Sequence, residues 1–186
     1  MNQIDAFIMP LFGKELTLNN KNIESYCLSQ RKIDPGKIAS NVNGWQSSNF
    51  DLNNPPEPLS ELCNHIFDSL LEVCNVLSIN TPSFGEGWMN INEYASFNWA
   101  HTHPGCSLSG VYYVRTPIQC GDIMFEHPSS REMGFVQINN FNPYNATSFS
   151  MPSKEGTLYI FPSWMIHKVQ PNLNKKSRIS ISFNLL

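Results

Sequence analysis

The hydrophobic period of this chain changes once, and that change limits what it can fold into. Over residues 58–77, Leu59, Leu62, Cys63, Ile66, Phe67, Leu70, Cys74 and Leu77 recur at steps of three and four. This spacing gathers them into one stripe of an α-helix. Pro55, Pro56 and Pro58 suit the start of such a helix, where a missing N–H forfeits no bond. From residue 84 onward the period is two. Six short runs follow, WMNINEY (88–94), SLSGVYYV (107–114), GDIMFE (121–126), SFSM (148–151), TLYIF (157–161) and RISISF (178–183). Turn residues separate them, among them Pro104-Gly105, Cys120-Gly121, Asn142-Pro143 and Lys154-Glu155-Gly156. An apolar helix stripe needs a surface to lie on, and a sheet is the natural one. The pattern predicts an α+β protein, mainly β, whose body is a β-sandwich or jelly roll with N-terminal supporting helices.

Ahead of the main helix, residues 4–12 read as a short strand and residues 18–31 as a weak helix. Residues 33–55, rich in Asn, Ser, Gly and Pro, read as loop, with Trp45 as an isolated anchor. No internal repeat or low-complexity linker divides the chain. One domain over residues 1–186 is expected, with helical support over about 18–80 and a jelly-roll core over about 84–186.

Composition narrows the function classes. Hydrophobic residues make up 41% and charged residues 15%, a globular balance without the charge excess of a disordered chain. Net charge is −3 and no Lys/Arg run exceeds two, so no nucleic-acid footprint is evident. No run of 18 apolar residues predicts a membrane span, and the N-terminus lacks the basic region of a signal peptide. The five cysteines (27, 63, 74, 106 and 120) are odd in number and form no C-x-x-C, which points to a reduced, cytoplasmic setting. The edges of a jelly roll leave a homo-oligomer open.

The residues that carry chemistry begin with N-W-A-H-T-H-P-G at 98–105. Alternate residues of a strand share a face, so His101 and His103 can both be ligands of one ion. Alone, this pair is as readily two ordinary histidines. A second segment changes the weighing. His167 closes the apolar run that starts at Gly156, where an imidazole must find a partner or face a cavity. Eleven residues later come Arg178 and, on the same strand face, Ser180, with Ile179, Ile181 and Phe183 on the other. A guanidinium with a hydroxyl beside it, on a strand that reads as buried, suits a carboxylate.

In this order, H-x-H, a distal His and R-x-S, the chain resembles the Fe(II)- and 2-oxoglutarate-dependent oxygenases. The segments H-x-H-P-G-x-x-L-S-G-V-Y-Y (101–113) and F-P-S-W-x-x-H-x-V (161–169) look like a small 2-oxoglutarate oxygenase family found in phages and marine bacteria. The resemblance covers roughly residues 86–186. It implies a double-stranded β-helix, a cupin-like jelly roll, with Fe(II) as cofactor and 2-oxoglutarate as cosubstrate. Carried over residue by residue, His101 and His167 would hold the iron, and Arg178 with Ser180 the far carboxylate of 2-oxoglutarate. Asn92 and Tyr94 stand where some relatives hydrogen-bond the cosubstrate; an alternating strand with its polar side outward is the competing reading. Of the pair Tyr112–Tyr113, one is expected on the cosubstrate, assigned to Tyr112, and the other in the core. The implied reaction is hydroxylation of an unidentified substrate, with a nucleobase, a peptide side chain and a small metabolite all open, and with release of succinate and CO2.

His103 departs from the pattern, because the superfamily usually has a carboxylate there. A neutral imidazole in its place leaves a divalent ion its full charge. The i, i+2 spacing favours His103 as a third ligand; the alternative is a site left open to an exogenous anion. Asp122 and Glu126 could supply a carboxylate instead, though ordinary strand-edge acids are the simpler reading. His127 reads as a turn residue, His65 as a structural flank of the helix stripe, and Cys106 as lacking an activating base. Trp99 and Trp164 border the two ligand segments as site wall or as core. Two other classes compete. A cupin-type metalloenzyme without 2-oxoglutarate fits Gly156, Pro162 and His167, but lacks the expected Glu after the second His and gives R-x-S no role. A non-catalytic jelly-roll module explains the fold and leaves the histidines and Arg178 without purpose.

Overall fold

The computed structural model describes residues 2, 8–83, 85–130 and 137–186. Residues 4–7 of the expected first strand and residues 131–136 of the loop after His127 lie outside the described residues. Among the described residues, two α-helices, α1 (Asn20–Gln30) and α2 (Ser60–Leu77), accompany twelve strands. The strands are β1 (Phe12–Glu15), β2 (Asn41–Val42), β3 (Trp45–Gln46), β4 (Phe50–Asp51), β5 (Gly85–Asn92) and β6 (Phe97–His101). They continue as β7 (Leu108–Arg115), β8 (Ile123–Glu126), β9 (Ser148–Met151), β10 (Thr157–Pro162), β11 (His167–Val169) and β12 (Arg178–Leu185). A seven-stranded sheet runs β1-β10-β7-β12-β5-β3, with β4 also on β5, and a five-stranded sheet runs β2-β6-β11-β8-β9. Every pairing is antiparallel.

The stripe on α2 does what its spacing predicts. Leu62, Cys63, Ile66, Leu70, Val73 and Cys74 are buried against the larger sheet, where they meet Ile91, Tyr112, Leu158, Ile160, Ile179, Ile181 and Phe183. A short 3-10 turn, Glu57–Leu59, leads in with Pro58 at its start, and Ser78 closes α2 in the left-handed conformation (φ 54°). Asn19 caps α1, its side chain accepting from the Asn22 amide at 3.3 Å. The other face of the larger sheet looks toward the smaller one. There Val111, Tyr113, Tyr159 and Phe161 form a second cluster with Ile123, Phe125 and Met165. Helices, large sheet and small sheet are thus three layers with two apolar seams.

β12 is buried on both faces, and its two faces differ in chemistry. Ile179, Ile181, Phe183 and Leu185 enter the helix-side core, while Arg178, Ser180, Ser182 and Asn184 line a cleft on the opposite face. Beside it, Gly110 sits mid-strand in β7, where a Cβ would lie 2.3 Å from Phe183 Cζ and 2.5 Å from the Tyr159 carbonyl oxygen. The second contact is backbone and cannot rotate away. Gly110→Ala is expected to destabilise the fold by about 1–3 kcal/mol, read as a lower urea midpoint; an unchanged midpoint would refute this packing.

The structure differs from the sequence expectation in three places. Residues 33–55 contain β2, β3 and β4, each only two residues long and too short to display a period. Among the described residues the first strand is Phe12–Glu15, paired with β10, and residues 8–11 of the expected one are not in a strand. His167 does not close the preceding apolar strand. That strand, β10, stops at Pro162, and His167 opens β11 in the smaller sheet after a tight turn.

Candidate metal centre

His101, His103 and His167 converge from three backbone settings. His101 ends β6 and His167 begins β11, and the two are direct partners across the strand pair. His103 stands beyond β6, entering the turn at Pro104-Gly105, with its backbone N–H donating to the Ser163 carbonyl at 3.0 Å. That bond ties the H-x-H turn to the turn preceding His167. The ring centroids lie 4.3 Å apart for His101 and His167, 5.0 Å for His101 and His103, and 5.1 Å for His103 and His167. One ring nitrogen from each lies within 4.8 Å of the others, close enough to share one ion. They are the one such group of three among the described residues.

Their tautomers follow from their neighbours. His101 Nδ1 lies 2.7 Å from the Trp99 carbonyl, and His167 Nδ1 lies 2.9 Å from the Met165 carbonyl. A carbonyl only accepts, so each Nδ1 carries the proton and each Nε2 keeps a free lone pair. Anchoring the second nitrogen in this way is what orients a metal-ligating imidazole. Ser40 Oγ, 3.4 Å from His101 Nε2, faces that lone pair as a hydroxyl donor. The His103 ring has no hydrogen-bonded anchor among the described residues and packs against Trp88 at 5.9 Å.

Burial also keeps these rings neutral. It pulls His101 below the ordinary imidazole value, against the opposing bond to the Trp99 carbonyl. His103 falls to about 4 through burial and then the charge of His101. His167 falls to about 3, again through burial first and then His101. At neutral pH all three are in the unprotonated form that binds metals.

The cleft around them, about 530 Å³, lies between the two sheets. Arg178 lines it and is only 1% exposed. Its Nη1 donates to the Cys120 carbonyl, to the Gly121 carbonyl at 3.1 Å and to the Gln170 carbonyl at 3.3 Å. Burial lowers its pKa, yet a guanidinium stays charged. Its Nη2 is buried with no hydrogen-bond partner among the described residues. A buried charged donor without an acceptor is costly, and a ligand carboxylate in this cleft would supply one. Ser180 and Asn92 line the same cleft, and Asn92 is the direct partner of Arg178 across β5 and β12.

Tyr94 and Tyr112 are not brought to this cleft. β5 ends at Asn92, and Tyr94 lies on the following turn, 62% exposed. Tyr112 is fully buried on the helix side, its hydroxyl donating to Asn20 Oδ1 at 2.7 Å. Its neighbour Tyr113 is the cleft residue, placed by its pairing with Ser180 on β12. Burial raises the Tyr113 hydroxyl to about 12, against the lowering effect of Arg178, so it remains a donor. Consecutive strand residues face opposite sides, so the doublet announces one tyrosine on each face but not which.

The acids considered for the His103 position are engaged elsewhere. Asp122 accepts from the Ser153 amide at 2.9 Å and lines a different surface depression. Glu126 pairs with Lys168 Nζ at 2.9 Å. His127 Nδ1 accepts from the Ser129 amide at 3.1 Å, as a turn residue does. Burial raises the Cys106 thiol. Trp99 borders the cleft and is 65% exposed, whereas Trp164 does not line it. Ser182, on the same strand face as Arg178 and Ser180, also lines the cleft, and so do Trp88, Asn90 and Asn184, which the sequence reading does not single out. For Asn184 the signal was present, since it shares the strand parity of Arg178.

No curated protein matches this sequence. Among solved structures, the fold is similar to a Pseudomonas putida prolyl-4-hydroxylase, with a TM-score of 0.69 at 12% identity over 95% of this chain and 92% of that one. It is similar to a Trichoplax adhaerens prolyl hydroxylase in complex with a hypoxia inducible factor oxygen degradation domain peptide fragment (0.66, 13%, 95% and 83%). It is also similar to a viral collagen prolyl hydroxylase from Paramecium Bursaria Chlorella virus-1, in a 2OG complex (0.62, 12%, 95% and 96%). At such identities the likeness establishes the fold, a double-stranded β-helix with N-terminal helices. No helix among the described residues is long and apolar enough to cross a membrane. A family model described as "Putative 2OG-Fe(II) oxygenase" matches residues 86–184, more than half of the 186 residues. The chain therefore belongs to the 2OG-Fe(II) oxygenase family, for which Fe(II) and 2-oxoglutarate are the expected cofactor and cosubstrate.

Proposed function

We propose that this chain, acting as one domain, is an Fe(II)- and 2-oxoglutarate-dependent dioxygenase that hydroxylates a C–H bond of its substrate. His101, His103 and His167 hold the metal, and Arg178 and Ser180 hold the far carboxylate of 2-oxoglutarate. The observation that carries this reading is Arg178 Nη2, a buried cationic donor without a partner in the same cleft as three neutral imidazoles. An Fe(II) ion with 2-oxoglutarate supplies oxidation of a C–H bond by dioxygen, with succinate and CO2 formed from the cosubstrate.

The chain's own residues bind, orient and exclude. His101 and His167 are held by the Trp99 and Met165 carbonyls, which fixes their ring orientation and leaves Nε2 of each as the atom to hold the metal. His103 contributes no negative charge, so the divalent ion keeps its full charge toward anionic ligands. Tyr113, a protonated phenol on the Ser180 side of the cleft, takes the donor role expected of Tyr112. Phe125, tilted against His167 at 6.0 Å, and Phe161, edge-on to it at 4.8 Å, keep water from that side of the centre. Incubated aerobically with Fe(II) and 2-oxoglutarate, the protein is expected to form succinate slowly without substrate, and to stop when the iron is chelated. Bound metal with no succinate formed would favour a metalloenzyme that does not use 2-oxoglutarate.

A further inference from the structure

The two ends of the cleft carry opposite charge. Across β5 and β12, Arg178 pairs with Asn92 at one end, Ser182 with Trp88 further along, and Asn184 with Glu86 at the other end. All six line the cleft. Besides the three histidines, Arg178 and Glu86 are the two residues of charged type among its described lining residues. Six residues of strand, about 20 Å, separate the level of Arg178 from that of Glu86. His103 lies between, packing on Trp88, two residues or about 7 Å along the strand from Glu86, with its ring 5.0 and 5.1 Å from those of His101 and His167.

Glu86 is held ready but not neutralised. Lys37 Nζ donates to Asn49 Oδ1 at 3.3 Å, and Asn49 Nδ2 donates to Glu86 Oε2 at 2.5 Å. Lys37 thereby fixes the Asn49 amide without pairing with the carboxylate. Among the described residues Glu86 enters no ion pair, whereas Glu15, Glu24, Glu72, Glu93 and Glu126 each do. Glu86 Oε1 has no hydrogen-bond partner among them. A half-buried carboxylate with one oxygen fixed and the other free of hydrogen bonds among the described residues, two residues along the strand from an indole that lines the same cleft, suits a cationic donor.

We propose that Glu86, with Asn49 and Trp88 beside it, binds a positively charged hydrogen-bond-donating group of the substrate, an ammonium or guanidinium, and so sets a C–H bond over the three histidines. The inference rests on the proposed dioxygenase reading and adds the substrate class to it. 2-Oxoglutarate and substrate are then sorted by charge, the carboxylate toward Arg178 and the cation toward Glu86. Such a group belongs either to a free polyamine or to a basic side chain in a peptide.

The test uses the full chain loaded with Mn(II) and 2-oxoglutarate. The probes are spermidine, acetyl-Gly-Lys-Gly-amide and the same peptide with norleucine in place of lysine. Mn(II) broadens the proton resonances of any probe held near the centre, and titration gives its Kd. The expected result is broadening of at least one cationic probe and not of the norleucine peptide. Glu86→Gln, which keeps an acceptor for Asn49, should weaken that probe about tenfold or more while Mn(II) and 2-oxoglutarate binding and the melting temperature hold. Broadening of spermidine alone identifies a free polyamine, and of the lysine peptide alone a peptide side chain. With Mn(II) and 2-oxoglutarate bound, silence of both cationic probes, equal broadening by the norleucine peptide, or equal affinity in Glu86→Gln overturns the inference. If electron paramagnetic resonance shows no bound Mn(II) in the wild type, the metal centre itself fails, and this inference with it.

Discussion

His167→Ala is expected to lower the affinity for a divalent metal by more than about 100-fold and to abolish succinate formation from 2-oxoglutarate. Disturbing a residue that merely supports a ligand lowers metal affinity by about 10–100-fold, and His167 is placed as a ligand. Its ring is 4% exposed, its Nδ1 proton is fixed on the Met165 carbonyl, and it packs on both other histidines. Neither Asp122 nor Glu126 stands ready to replace it, because both are bonded elsewhere. Equilibrium dialysis followed by elemental analysis reads the metal, and far-ultraviolet circular dichroism reads the fold. A folded variant that bound metal as tightly as the wild type would remove His167 from the centre.

Arg178→Ala is expected to raise the Kd for 2-oxoglutarate by about 100-fold or more, since removing one partner of a buried charge pair costs about 2–5 kcal/mol. It also acts on the apo fold. The guanidinium donates to the Cys120, Gly121 and Gln170 carbonyls, and those acceptors lose a buried donor. Because that loss threatens folding, Arg178→Lys is the companion variant. It keeps the charge but not the fork, and it should bind 2-oxoglutarate with intermediate affinity. Calorimetric titration of 2-oxoglutarate into Mn(II)-loaded protein separates these cases. Unchanged affinity in a folded Arg178→Lys or Arg178→Ala protein would take Arg178 out of the cosubstrate site.

Much of the architecture was legible in the chain because its two periods are strong. The α2 stripe and the six alternating runs after residue 84 all became elements: α2 buries one face, β5, β7, β10 and β12 are buried along most of their length, β8 alternates, and the largely exposed β9 pairs with β8 at the sheet edge. β2, β3 and β4 were illegible because a two-residue strand has no period and exists only through its partner. The turn between β10 and β11 was hidden for another reason. Ser163, Trp164, Met165 and Ile166 continue an apolar run, and only the transfer of the chain to the second sheet shows that the strand has ended.

The site divided along the same line. By itself, the sequence determined which side chains carry chemistry: the H-x-H pair, a distal His, and an Arg and a Ser of equal parity on a strand whose other face is apolar. Parity is a local property of the backbone, so spacing is enough to read it. Only the tertiary structure decided that His103 joins His101 and His167 from a turn rather than from a strand. It also decided that Tyr113 and not Tyr112 faces Arg178, and that Asp122 and Glu126 are engaged away from the centre. Glu86 was placed there too, as a carboxylate at the far end of the cleft with no ion pair among the described residues. Each of these depends on a register or a contact between segments far apart in sequence. Such long-range pairings are fixed by the mutual burial of whole faces, which no short window of residues contains.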